Sequence, residues 1–164
     1  MAEVTHEQVN LMLRLYEMRR EAVMREARAW YLKDFHPKSA EEMMKMCPPG
    51  SKENAYLRQV ASYWEMVANI VSRGLIDEEF FFENSGEQWI VWEALRPIAN
   101  EWRAAFKNPH AWEKLEEHCK RLEAWREKRS PGSTEAMRQM LARMVAKEPA
   151  IPAAKPTQQA AKPA

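Results

Sequence analysis

Residues 53–73, ENAYLRQVASYWEMVANIVSR, decide how the rest of the chain is read. Leu57, Val60, Trp64, Val67 and Val71 recur at the spacing that aligns side chains along one face of an α-helix. Tyr56, Tyr63 and Ile70 widen that stripe to nearly half the circumference. A face so broad implies contact with two neighbouring helices and makes this segment the centre of the fold. Gly74 follows as a left-handed terminator, and Leu75 can fold back on it.

The same periodicity extends in both directions. Upstream, Thr5 caps a helix with Gln8 at the reciprocal position. Val9, Met12, Tyr16, Val23, Ala27 and Trp30 carry that helix to about Asp34, before His36-Pro37. Ser39 and Glu42 open a short helix that Cys47-Pro48-Pro49-Gly50 closes. Downstream, Asp77 caps the aromatic run Phe80-Phe81-Phe82. Trp89, Trp92, Leu95, Ala99, Trp102 and Phe106 then continue the pattern across a kink or restart at Pro97. Asn108-Pro109 predicts a new helix start, with Asn as cap and proline in the first turn. Trp112, Leu115, Cys119 and Leu122 line its apolar face. After Ser130-Pro131-Gly132, a last amphipathic helix over 133–147 presents Met137, Met140, Leu141, Met144 and Val145.

No run alternates convincingly enough for a strand. The expected fold is therefore all-α: a compact bundle of five to six helices in one domain over 1–147. Residues 148–164, rich in proline and alanine, have too few large apolar side chains to offset their ordering entropy and are expected to form a disordered tail.

Composition narrows the function classes. The 164 residues carry 25 basic and 24 acidic side chains, a balance that argues against a general binder of nucleic-acid backbones. Charge is uneven, acidic over 75–108 and mildly basic over 109–148. No stretch has the apolar length of a membrane span, and the amino-terminal residues lack the pattern of a secretory signal. A cytoplasmic protein with two packed, unbridged thiols, Cys47 and Cys119, is the expectation.

Three pieces carry a family resemblance: YLRQVASYWEMVANIVSRGLIDEEFF (56–81), IVWEALRPIANEWR (90–103) and AWEKLEEHCKRLEAW (111–125). Together they resemble an uncharacterised bacterial helical family, a domain of unknown function of the 4760 type. The resemblance implies a small helical protein and supplies no catalytic residues. Some members carry an amino-terminal membrane helix that this sequence lacks.

Candidate chemistry is sparse. A carboxylate-bridged di-metal bundle needs two Glu-x-x-His units, and Glu3 to His6 is the only one here. No metal or other cofactor is expected. Arg103 and His110 have the separation that some metal-free helical ribonucleases use on a scissile phosphate, although Asn108-Pro109 breaks the helix between them. Glu65 and Arg103 sit on otherwise apolar helices, so an ion pair fixing helix register is expected between them. Seven tryptophans and the Phe80–Phe82 run exceed what one core readily hides. Most of these rings are expected to pack in the core, and the methionine helix to dock on the bundle or on a symmetry mate. Phe80, Phe81, Phe82, Trp89, Met137, Met140 and Met144 form the candidate partner surface. The leading expectation is a non-enzymatic scaffold or adaptor that binds protein, self-association included. The alternatives are the Arg103/His110 nuclease and a carrier of small apolar ligands.

Overall fold

A computed structural model of the chain describes residues 3–147. Among the described residues the structure is all-helical, with nine helices rather than five or six and no strand. They are α1 (His6–Arg19), α2 (Ala22–Asp34), α3 (Ala40–Met46), α4 (Lys52–Ser72), α5 (Glu78–Asn84), α6 (Glu87–Leu95), α7 (Ala99–Ala105), α8 (Glu113–Arg129) and α9 (Ser133–Lys147). The tail expected over 148–164 lies outside the described residues.

α4 is the axis of the bundle and packs chiefly against α2 and α8, as its broad apolar face requires. Leu57, Val60, Ala61, Trp64, Val67, Ala68 and Val71 are buried along it. Its end is built as the sequence implies. Gly74 adopts φ +72°, its N–H reaches the carbonyl of Val71 at 2.9 Å, and Leu75 N–H reaches that of Ile70 at 3.3 Å. These two bonds satisfy carbonyls that the helix itself leaves unpaired. Thr5, Ser39, Ser51 and Asp77 each cap a helix by accepting the backbone N–H three residues on.

The higher helix count has particular causes. The segment expected as one helix over 5–34 breaks between Arg19 and Ala22, where Glu21 leaves helical geometry and its carboxylate caps Met24 N–H at 3.0 Å. Carbonyls around the break find side-chain donors: Tyr63 Oη–H on Leu15 O at 2.6 Å and Arg28 Nη1 on Arg19 O at 3.3 Å. The aromatic run is a helix in its own right, α5, and Pro97 produces a full restart between α6 and α7.

The helix expected to start at Asn108-Pro109 instead begins at Glu113. Asn108 Oδ1 accepts His110 N–H at 3.2 Å, which turns the chain rather than starting a helix. Trp112, at the cap position, has φ 57° and no side chain able to accept the free N–H groups. Glu65, from the middle of α4, does so instead: its two carboxylate oxygens take Lys114 N–H at 3.1 Å and Leu115 N–H at 2.8 Å. Those are the second and third residues of α8, the groups that a capping serine or aspartate would normally satisfy.

Candidate functional site

α9 reaches back along the bundle from a tight turn. Gly132, at φ +81°, makes that turn. Glu127 of α8 caps the new helix by accepting Gly132 N–H at 2.7 Å and Thr134 N–H at 2.9 Å, and these two bonds hold its carboxyl below the usual range. Met137 and Leu141 pack against the core. Arg138 fastens the helix. Its guanidinium grips both oxygens of Glu93 on α6 (3.0 and 3.1 Å) and bonds Glu123 on α8. Glu123 also accepts the indole N–H of Trp89 at 2.7 Å, and the guanidinium carbon of Arg126 stands 4.9 Å from the centre of that ring. The hydrogen bond from Arg138 to Glu93 holds the guanidinium still more firmly protonated, whereas burial weakens the hold of Arg126 on its proton. An ionised cluster therefore ties α6, α8 and α9 into one unit.

Two surfaces result. On the inner side, α2, α6 and α9 enclose an open groove of about 550 Å³. Ala29, Ala94 and Ala142, one from each helix, line it, and their short side chains leave the space unfilled. Leu32, Ile90 and Leu141 add to its apolar wall, while Lys33, Arg96, Arg138 and Glu93 contribute charge. On the outer side, Ala136, Met140 and Met144 form an exposed stripe along α9, whose Met144 end also borders the groove. Met140 is 50% exposed and Met144 60%.

The candidate partner surface is thus divided, and its rings pack mostly in the core. Met140 and Met144 are open, but Met137 packs on the core. Trp89 is fully buried, Phe81 and Phe82 are buried, and Phe80 is partly so. These rings serve the interior because α5 packs on α4 and aims Phe81 and Phe82 at His118 of α8, with centroid separations of 5.5 and 5.1 Å. His118 is itself completely buried, with neither ring nitrogen hydrogen-bonded, and burial pushes its pKa down to about 4.

The expected Glu65–Arg103 pair does not form. Glu65 caps α8, while Arg103 pairs with Glu116 at 2.7 Å and donates from Nε to the carbonyl of Ala111 at 2.9 Å. The late start of α8 explains the exchange, because it places the unsatisfied N–H groups beside Glu65 and a carboxylate of α8 beside Arg103. Nor are Arg103 and His110 assembled into a shared site. The Arg103 side chain is 16% exposed and engaged, whereas that of His110 is 75% exposed and pairs with Glu113. Among the described residues no three His, Cys, Asp or Glu side chains gather as metal ligands would. No described helix is long and apolar enough to cross a membrane.

Sequence reasoning missed Lys33, Arg138 and the three groove alanines. Alanine in a helix carries no signal that the space beside it is empty.

The family model described as "Domain of unknown function (DUF4760)" matches residues 4–122. The chain belongs to this family. No curated protein and no solved structure matches it. The DUF4760 match begins ahead of α1 and ends within α8, so it takes in two walls of the groove, α2 and α6, but not α9. It therefore covers the central α4 and the Glu65 cap on α8, while the helix bearing the open methionine stripe lies beyond it. The DUF4760 description assigns no activity.

Proposed function

We propose that the protein is a non-enzymatic helical scaffold that associates through the outer face of α9, and that its partner there is a second copy of this chain. The observation that carries the reading is the self-complementarity of that face. Ala136, Met140 and Met144 repeat every four residues, and Glu135, Gln139 and Arg143 run alongside on one flank. An antiparallel helix pair brings like flanks together, so pairing about Met140 sets Glu135 of each copy near Arg143 of the other. Among the described residues Arg143 is in no ion pair, whereas Glu135 accepts only the amide of Gln139 at 3.2 Å. The flexible thioethers suit such a contact. A single helix face falls short of the roughly 800 Å² per partner of a standard interface, so the association is weak and concentration-dependent.

Sedimentation equilibrium over a wide concentration range tests this. The intact chain is expected to show a monomer–dimer equilibrium that Arg143→Glu weakens by placing two carboxylates face to face. Combining Glu135→Arg with Arg143→Glu restores the complementarity and should restore the dimer. A wild-type chain that stays monomeric throughout, or a double variant no better than the single one, would defeat the proposal.

A further inference from the structure

The groove on the inner side of α9 adjoins the stripe on its outer side, because Met144 lines the edge of both. Its walls are apolar where the three helices come together, because Ala29, Ala94 and Ala142 supply little more than a methyl group each. Polar groups close by are already satisfied. Tyr31 Oη–H donates to the carbonyl of Val91 at 2.9 Å, and His36 Nε2 lies 2.9 Å from the carbonyl of Lys33, which covers one of the carbonyls at the end of α2. The charges at the edge are unbalanced. Among the described residues Glu93 is the only lining carboxylate, its side chain is 9% exposed, and both Arg138 and Arg96 bond to it. Lys33 is in no ion pair among the described residues, and the Arg96 side chain is 51% exposed beyond its bond to Glu93. The space thus joins an apolar interior to a cationic edge with an available ammonium group.

We propose that this groove binds an amphiphilic anion: a medium-length apolar chain ending in a carboxylate or another compact anionic group. The apolar chain lies over Ala29, Ala94 and Ala142, and the anionic end meets Lys33 and the exposed part of Arg96. A volume of about 550 Å³ suits a ligand of this size, since small-molecule sites span roughly 300–1,000 Å³ and pair mostly apolar walls with a few polar anchors. Opposite charge argues against a cationic or neutral amphiphile, because only an anion gains the ion pair at the edge. The α9 wall from Arg138 to Val145 runs about 10 Å at 1.5 Å per residue, short for a long partner helix.

The test uses the intact protein with three submicellar probes of equal chain length: dodecanoate, dodecanol and dodecyltrimethylammonium. Calorimetric titration should give one dodecanoate per chain, bound at least tenfold more tightly than either other probe. Lys33→Glu should weaken dodecanoate about tenfold and narrow its margin over the cation. Ala94→Trp should fill the groove and abolish binding. Ala142→Trp, at an exposed position, gives the same readout if the first variant does not fold. Met140→Glu, outside the groove, should leave binding unchanged even where it disrupts self-association. Equal binding of all three probes, no binding at all, or binding that survives the tryptophan in a folded variant would each overturn the proposal.

Discussion

Acid should loosen this protein through one residue, His118. Its imidazole is fully buried between Phe81 and Phe82 with neither nitrogen hydrogen-bonded, so the neutral form is the one that fits. The charged groups facing it offset one another. Glu78 on α5 brings an oxygen to 3.8 Å from Nδ1, but Arg121 on α8 holds that same oxygen at 2.7 Å, and Arg121 also reaches Ser72 of α4. Burial is the main cause, and the neighbouring Arg121 adds to it, in lowering the pKa from 6.5 to about 4.

In the unfolded chain the ring takes up a proton as pH falls through about 6.5, whereas in the folded chain it resists until about 4. The unfolded state therefore binds more protons between those values, and stability falls with pH across that window. A difference of 6.5 against about 4, at ~1.4 kcal/mol per unit, amounts to about 3 kcal/mol lost by pH 4. Most of this loss precedes the range in which Glu116 and Glu127, held below the usual carboxylate value, take up protons. Urea midpoints measured in steps from neutral pH down to about 4.5 report the change, and His118→Leu is the reference. The variant should lose the pH-dependent difference and be at least as stable near neutrality, because the unsatisfied ring nitrogens are gone. If the wild-type and variant profiles run parallel across the window, His118 is not the buried, neutral group described.

Glu65→Ala should lower stability by about 2 kcal/mol, the scale of losing a helix cap made of charge-assisted bonds. Hydrogen exchange should then quicken at Lys114 and Leu115 before it does elsewhere in α8; unchanged exchange there would count against the cap. Gly74→Ala should cost roughly 1 kcal/mol through backbone strain alone, since a Cβ at Gly74 meets nothing within 4 Å. A lower urea midpoint with an unchanged slope is the expected signature. Cys47, its thiol pushed up to about 11 by burial, and the fully buried Cys119 should both resist a thiol reagent at neutral pH until the protein is unfolded. Rapid labelling of either in the folded state would contradict the packing.

What could be read in advance was what short-range chemistry determines. The α4 stripe, its glycine terminator, the Thr5, Ser39 and Asp77 caps and the restart at Pro97 each depend on residues a few positions apart, and each is present. The features that were misread depend on partners distant in the sequence. No glycine or proline marks the break at Arg20-Glu21, where Arg28 satisfies the carbonyl of Arg19 and Tyr63 bonds that of Leu15 one turn earlier. Asn108-Pro109 has every local mark of a helix start, but the start moves to Glu113 because Glu65 is waiting there. For the candidate site, spacing gathered the α9 methionines but did not separate the open Met140 and Met144 from the packed Met137. The groove was not legible: it is defined by side-chain volume missing from three helices at once.

The cap on α8 has a consequence for how the chain acquires its structure. The carboxylate that fixes where this helix begins comes from 49 and 50 residues earlier in the chain. A peptide corresponding to α8 alone has no instruction to begin at Glu113, and its first turn must fray or slide until α4 stands beside it. The start of α8 is therefore coupled to assembly of the bundle rather than to its own first turn.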